Sequence, residues 1–250
     1  YPDRLLRREK AVTGPPAPGT RSVLIPVSQP KSGRPLRRLA DLLAGPPKAE
    51  RRITALYLRR PADHDAYRSG LDEEVDPRTL DQLAPLLDEA HHRGVEVDAR
   101  SHVSRDIPGD IARAVAETQA GLVLMGFHKP VIGGAMLGGT VHHVLQGAGC
   151  DVAVLVDRGL HDVRSILVPY MGSVHDRFAL ELADAAGRHS GAKVTVLHVT
   201  PPKDAADRPV LGAKQEVERA FKDPTQKAPV TLKVVESASP VDVVLEESPR

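Results

Sequence analysis

The sequence is poor in cysteine and in aromatic residues. Its 250 residues include one cysteine, no tryptophan and only 3% aromatic residues. A single cysteine, Cys150, cannot form an internal disulfide, so the composition favours a reducing compartment. The apolar runs are a handful of residues long, far short of the roughly 20 residues that a membrane-spanning helix needs. The sequence as given is therefore expected to be soluble.

Neither sign of charge dominates the sequence. Lys and Arg number 34 against 33 Asp and Glu, and the formal net charge is +1. No basic stripe with interleaved aromatic residues is present, so nucleic acid is not an expected partner. With 41% hydrophobic residues, the chain can form the core of one large domain or of two ordinary ones. It starts at Tyr1 without the apolar core of a signal peptide, as a piece of a longer protein would.

Regular structure is expected to begin after a proline- and glycine-rich segment. Residues 1–20 pass through Gly14-Pro15-Pro16-Ala17-Pro18-Gly19, which indicates a tether. Beyond it, short apolar runs predict strands at residues 23–27, 53–58, 95–99, 122–125 and 151–156. Helical periodicity fills the intervals, with Asp76-Pro77 expected to start the second helix and Asp110 the third. Strands alternating with helices predict an α/β fold with a doubly wound, Rossmann-like parallel sheet.

The fourth predicted strand leads into a glycine-bearing loop and then into a helix. A helix with Val141 and Val144 on one face begins at Gly139-Thr140. A strand, a glycine-rich loop and a helix N-terminus are typical of an anion site, because unpaired amide groups and the helix dipole converge there. Lys129 adds a positive charge to this loop. The alternative, that the glycines only allow the loop to turn, stays open on the glycines alone.

The pattern of the first strand returns 143 residues later. Arg21-Ser22-Val23-Leu24-Ile25-Pro26-Val27 is echoed by Arg164-Ser165-Ile166-Leu167-Val168-Pro169-Tyr170, which indicates an internal duplication. The second copy has three predicted strands and lacks a fourth strand, a phosphate-type loop and a fifth strand. We therefore predict a tether at residues 1–20, a first domain at residues 21–160 and a second, incomplete domain at residues 161–250.

The glycine-bearing loop resembles the nucleotide-binding loop of the universal stress protein family. In that family a glycine, two residues, a second glycine, nine residues and a Gly-Ser/Thr pair bind nucleotide phosphates. Here Gly126, Lys129 and Gly139-Thr140 stand at those positions, with lysine in place of the second glycine. The resemblance implies two tandem universal stress protein-like domains and a site for an adenine nucleotide, with ATP, AMP, cyclic AMP and cyclic di-AMP as the candidates.

A more specific resemblance extends from residue 126 to residue 159. The runs Phe127-His128-Lys129, Val141-His142-His143-Val144-Leu145 and Leu155-Val156-Asp157-Arg158-Gly159 are similar to the cytoplasmic C-terminal region of monovalent cation/proton antiporters, including the plant cation/proton exchangers. Tyr1-Pro2 would then follow the last transmembrane helix. The resemblance implies a membrane antiporter domain upstream in the same polypeptide, a homodimer, and a position at the cytoplasmic face of the plasma membrane.

The resemblance also implies which residues form the ligand site. Three groups are expected to meet, namely the end of the first strand, the end of the third strand, and the glycine-bearing loop with the start of its helix. The candidate ligand-binding residues are Pro26, Val27, Ser28, Val103, Gly126, His128, Lys129, Gly138, Gly139, Thr140 and Val141. Where stress proteins that bind ATP commonly carry an acidic residue, this sequence has Ser28 in the first copy and Met171 in the second. No metal site is expected.

Other chemically suggestive residues have simpler interpretations. The pairs His91-His92 and His142-His143 are adjacent on helices and point in different directions, so neither pair chelates a metal by itself. Ser173, His175 and Asp176 have the residue types of a hydrolase triad but lack the glycine-flanked nucleophile turn. A helix start with Ser173 as the cap is the favoured interpretation there. For His128, a structural hydrogen bond and a pH-sensing role both stay open.

The sequence is compatible with three functions. The first is a non-catalytic regulatory region of a monovalent cation (Na⁺ or K⁺)/proton antiporter that senses an adenine or cyclic nucleotide, mediates dimerisation, or does both. The second is a free-standing tandem universal stress protein that binds ATP. The third is a dimerisation scaffold whose pocket is vestigial, which Ser28, Lys129 and Met171 would favour.

Overall fold

The computed structural model describes residues 22–44, 52–61, 80–127, 139–200, 208–220 and 229–248. The chain separates into two compact units, with the change from the first to the second between Gly159 and Leu160. Within the described ranges, every helix is too short or too polar to cross a membrane.

The first unit contains five strands and four helices in alternation. The strands are β1 (Val23–Pro26), β2 (Ile53–Arg59), β3 (Asp98–Val103), β4 (Leu122–Gly126) and β5 (Asp151–Leu155). The helices are α1 (Pro30–Ala44), α2 (Ala84–His92), α3 (Ile107–Thr118) and α4 (Gly139–Gly147). All strand pairs are parallel, and the order across the sheet is β3-β2-β1-β4-β5. The predicted α/β fold with a doubly wound parallel sheet is confirmed.

The sheet of the first unit is buried because its central strands are apolar on both faces. On one face, Leu24, Leu56 and Val123 pack in a buried cluster with residues of α3 and α4 such as Ile111 and Val144. The neighbouring strand positions alternate to the opposite face. The helices α1 and α2, which are absent from that cluster, contact each other at Gly33 and Leu86. The helices that connect the strands therefore lie on both faces of the sheet.

Two predicted elements begin three residues away from their start in the structure. The third strand runs over Asp98–Val103 instead of residues 95–99. Among the described strands this one lies at the sheet edge and pairs with β2 alone, so it does not need the continuous apolar run on which the prediction was based. The third helix begins at Ile107 and not at Asp110, because the Asp106 carboxylate caps it by accepting a hydrogen bond from the Gly109 amide at 3.2 Å. The predicted start of the second helix, Asp76-Pro77, lies outside the described residues.

The second unit repeats the beginning of the first. Its elements are β6 (Ser165–Tyr170), α5 (Val174–Ser190), β7 (Lys193–Thr200), α6 (Arg208–Ala220), β8 (Val230–Glu236) and α7 (Pro240–Glu247). The three strands form a parallel sheet in the order β6-β7-β8, which matches β1-β2-β3. The register also matches, since Val23 pairs with Ile53 and Ile166 pairs with Val194. The structure thus agrees with an internal duplication.

A capping box fixes the start of α5. The Ser173 Oγ accepts a hydrogen bond from the Asp176 amide at 3.3 Å, and the Asp176 carboxylate accepts one from the Ser173 amide at 2.8 Å and one from the Met171 amide at 2.9 Å. Burial raises the pKa of Asp176, but these donated hydrogen bonds outweigh it and hold the pKa below its ordinary value. The helix-start interpretation of these residues is confirmed.

Candidate functional site

A cavity of about 350 Å³ lies at the carboxyl ends of the first unit's central strands. The ends of β1, β2 and β4 and the beginnings of α3 and α4 surround it. Its lining residues are Pro26, Val27, Ser28, Leu56, Leu58, Arg60, Ile107, Ile111, Met125, Gly126, Gly139, Thr140 and Val141. Because β1 lies between β2 and β4, the connections diverge to opposite faces here, which is where doubly wound sheets bind their ligands.

The backbone around this cavity follows from how the central strands end. The Val27 amide donates to the Leu56 carbonyl at 2.8 Å, which extends the pairing of β1 and β2 by one residue. The Phe127 amide does the same with the Leu155 carbonyl at 2.8 Å, next to the end of β4. Ser28 follows as the chain leaves the sheet, and it lines the same cavity as Gly126. After β1 the chain continues into α1 on one face of the sheet. After β4 it continues into α4, which lies on the other face.

The start of α4 forms one wall of the cavity. Gly139 and Thr140 are its first two residues, and the amides of a helix's first turn have no partner within the helix. A Cβ atom at Gly139 would meet no atom of the described residues within 4 Å, so their packing does not require glycine there. Glycine at this position leaves space over the cavity. A helix N-terminus beside open space can accept an anionic group.

Seven of the eleven predicted ligand-binding residues line this one cavity. They are Pro26, Val27, Ser28, Gly126, Gly139, Thr140 and Val141. Val103 does not line it, because β3 is the edge strand and is separated from β1 by β2. His128, Lys129 and Gly138 lie outside the described residues. That the seven residues bind a ligand stays a prediction.

Sequence reasoning missed the contribution of β2. Leu56, Leu58 and Arg60 follow one another at every second position, so they lie along one face of the strand and its exit. With the strand order known, this alternation would have placed them beside the end of β1. Ile107, which also lines the cavity, was missed because α3 begins three residues earlier than the sequence pattern indicated.

The described lining is apolar apart from a few side chains. Arg60 supplies a positive charge, and Ser28 and Thr140 supply hydroxyls. Among the described lining residues there is no carboxylate, histidine or cysteine. The described lining therefore combines apolar surface with one positive charge and two hydroxyls, which suits a ligand with an apolar part and an anionic part.

Residues elsewhere in the described structure show no sign of a metal site. The described residues contain no group of three His, Cys, Asp or Glu side chains that could hold a metal ion. His143 Nδ1 donates to the Gly139 carbonyl at 2.7 Å, and His92 Nδ1 donates to the Asp88 carbonyl at 2.6 Å. These histidines bond to their own helices. Burial, with Asp151 adding to it, raises the pKa of Cys150 to about 11, so its thiol is protonated at neutral pH.

Comparison with known proteins agrees with this architecture. The solved structure of a universal stress protein from Archaeoglobus fulgidus has a TM-score of 0.59 at 18% identity, over 91% of this chain and 82% of its own. The cytoplasmic domain of a prokaryotic cation chloride cotransporter has a TM-score of 0.51 at 10% identity, over 87% of this chain and 79% of its own. At these identities both likenesses concern the fold alone.

A sequence relative adds information beyond the fold. Cation/H(+) antiporter 19 of Arabidopsis thaliana is 28% identical over 165 residues, which is 58% of this chain. The match spans only 21% of that antiporter's length. The resemblance to cation/proton antiporters stated from the sequence is therefore confirmed as a similarity.

The universal stress protein family matches residues 19–155 and residues 162–248, one segment for each copy of the duplicated pattern. Since these two segments cover most of the sequence, the chain belongs to the universal stress protein family.

Proposed function

We propose that this chain is the non-catalytic regulatory region of a monovalent cation/proton antiporter and that the cavity of its first unit binds an adenine nucleotide. The observation that carries the binding part of the proposal is the cavity itself. It lies where the strand order reverses, its walls are apolar, and the start of α4 and Arg60 offer positive potential at its rim.

The chemistry of the walls matches the parts of a nucleotide. Leu56, Leu58 and Val141 offer apolar surface to a planar base, and the first-turn amides of α4 can donate to a phosphate. Ser28 stands where stress proteins that bind ATP commonly carry an acidic residue, so a nucleotide loses one polar anchor here. This favours a ligand held by its base and its phosphate, such as AMP or a cyclic nucleotide, as much as it favours ATP.

The antiporter assignment rests on sequence similarity. The 28% identity to the Arabidopsis thaliana antiporter extends over 165 residues. On this proposal the chain lies at the cytoplasmic face of the plasma membrane, follows a membrane domain in the same polypeptide, and forms a homodimer. A bound nucleotide would change transport only if its affinity differs between two arrangements of the domains, because equal affinities shift no equilibrium.

Titration calorimetry of the chain with AMP, ATP, cyclic AMP and cyclic di-AMP tests the binding proposal. We expect at least one of them to bind, and Ser28→Phe to weaken that binding about tenfold or more, since the ring fills the cavity mouth. Met171→Phe is the matched control, because Met171 occupies the equivalent position after β6 and is 84% exposed. Equal affinities of the native chain and the Ser28→Phe variant would place the ligand elsewhere.

Transport by the whole antiporter tests the regulatory part of the proposal. We expect the nucleotide that binds to alter cation/proton exchange in vesicles and Lys129→Ala, in the glycine-bearing loop, to reduce that response. If no nucleotide binds and Lys129→Ala changes nothing, sensing is excluded and the dimerisation scaffold is the remaining function.

A further inference from the structure

A second cavity adjoins the first at the carboxyl ends of β2 and β3. Its volume is about 370 Å³, and Arg60 and Ile107 line both cavities. Its remaining wall includes Ser104, Arg105 and Asp106, which connect the end of β3 to the start of α3. Arg60 therefore lies where the two cavities meet.

Ser104 is the unusual residue of this second cavity. The residue is 1% exposed, and its amide donates to the Arg59 carbonyl at 2.8 Å, which fixes the backbone at the end of β3. Its Oγ is buried and has no hydrogen-bond partner in the part of the chain that the structure describes. Buried hydroxyls are nearly always hydrogen-bonded, so this one lacks an acceptor that a ligand in the cavity could provide.

The charges around the cavity favour an anion. Arg60 and Arg105 are exposed and both line the cavity. The one carboxylate of the wall, Asp106, already accepts a hydrogen bond from the Gly109 amide. The dipole of α3, a helix of 12 residues, adds positive potential at the same point. The cavity wall thus has two guanidinium groups and a helix N-terminus but one carboxylate, so positive charge is in excess.

We infer that this second cavity binds a phosphate group. The inference rests on the proposed function, since the neighbouring cavity would hold the nucleotide and Arg60 would contact groups in both. Arg60 and Arg105 would pair with the phosphate oxygens, and the Ser104 hydroxyl would donate to one of them. The phosphate belongs either to a second phosphoryl group of the same nucleotide or to free inorganic phosphate.

Calorimetry with three probes separates these two sources. The probes are AMP, adenosine 3′,5′-bisphosphate and inorganic phosphate. If the second group belongs to the nucleotide, the bisphosphate binds about tenfold more tightly than AMP, as one charge-assisted hydrogen bond permits. If the source is free phosphate, inorganic phosphate binds alone and the bisphosphate has no advantage over AMP.

Variants of the second cavity identify the site. Ser104→Ala and Arg105→Gln should each abolish the advantage of the bisphosphate, or the binding of inorganic phosphate, and leave the affinity for AMP within about twofold. Ser101→Ala, within β3 and in neither cavity, is the matched control. Without ligand, Ser104→Ala should melt at the native temperature or above it, because it removes a buried hydroxyl that has no partner. Lower binding at undiminished stability distinguishes a lost contact from a damaged fold.

Two results would overturn the inference in different ways. AMP binding with no bisphosphate advantage and no phosphate binding would exclude the second subsite and leave the proposed function intact. A bisphosphate advantage that survives both Ser104→Ala and Arg105→Gln would place the second phosphate elsewhere. If no nucleotide binds but inorganic phosphate does, and Ser104→Ala weakens it, the proposed function fails and the phosphate site stands.

Discussion

Gly33 shows how a single residue sets the distance between two helices. It lies in α1, and a Cβ atom there would come within 3.0 Å of the Leu86 amide nitrogen and 3.1 Å of the Leu86 Cβ. Because one of these atoms is backbone, α2 cannot yield by a simple side-chain rotation. We expect Gly33→Ala to lower the free energy of unfolding by about 1–3 kcal/mol, measured by urea denaturation.

The control for Gly33 is another helical glycine with no close neighbour. Gly212 lies inside α6, and a Cβ atom there would meet nothing within 4 Å in the part of the chain that the structure describes. Gly212→Ala should raise the free energy of unfolding by about 0.5–1 kcal/mol, because alanine loses less backbone entropy in a helix. Equal effects of the two substitutions would show that helix propensity, not the contact with Leu86, decides the outcome at position 33.

Individual residues of the site were predictable only where a sequence motif marked them. Gly126, Gly139 and Thr140 were found because a glycine pattern identifies them before any strand order is known. Arg60 and Ser104 carry no such mark, since one is an arginine after a strand and the other a serine before a helix. Their roles depend on the strand order and on the burial of each residue. Neither property can be inferred from the spacing of residues in the sequence.

The side chain of Glu89, in α2, links this helix to α1 by hydrogen bonds. Its carboxylate accepts hydrogen bonds from Arg38 Nε at 2.9 Å and from Arg93 Nε at 3.0 Å. The Arg38 hydrogen bond lowers the pKa of Glu89, with Arg93 adding to it, against burial, which raises it. The stabilisation is therefore fully present above the ordinary pKa of an unfolded Glu, about 4.3, and is lost as the pH falls through the lower folded value.

Replacing Glu89 tests this contact and its pH dependence. We expect Glu89→Gln to lower the free energy of unfolding at pH 7 by about 1–2 kcal/mol, because two charge-assisted hydrogen bonds weaken. The difference from the native chain should shrink at acidic pH. Glu117→Gln is the control, since Glu117 makes one exposed ion pair with Arg100 at 3.6 Å and should matter by less than about 0.5 kcal/mol. A Glu89→Gln deficit that does not change with pH would contradict the assigned role of the charge.

The end of α3 can be improved by a substitution. Its C-cap, Gln119, has a φ of 51°, the left-handed region where side chains are strained, whereas α5 ends with Gly191 at a φ of 72°. Gln119→Gly should therefore raise the free energy of unfolding by about 0.5–1 kcal/mol, and Gly191→Ala should lower it by a similar amount. Paired thermal melts check both directions, and a destabilised Gln119→Gly variant would mean that the glutamine side chain makes an essential contact.

At the scale of the whole molecule, the alternation of apolar runs and helices predicted the architecture because parallel strands buried on both faces need such runs. The repeat of the first strand at Arg164 predicted a second, incomplete copy of the fold, and β6-β7-β8 has the strand order of β1-β2-β3. The edge strand β3 was misplaced by three residues at its start for the converse reason, since an edge position relaxes the need for apolar residues. Strand order could not be derived from the pattern, so the cavity wall contributed by β2 was missed.

The two units should differ in stability when they are produced separately. The first has a five-stranded sheet in which β1 is paired on both sides, by β2 and by β4. In the second, the described strands pair β6 on one side only, and Val241 and Leu245 of α7 are each 68% exposed.

We propose residues 21–160 and residues 161–250 as the two fragments. The first should unfold cooperatively in urea and keep the nucleotide affinity of the whole chain. The second should unfold at lower urea and bind a hydrophobic dye, because an unpaired strand edge and exposed apolar side chains accompany weak packing. A fragment of residues 161–250 as stable as its counterpart, with no dye binding, would show that three strands form a sufficient core.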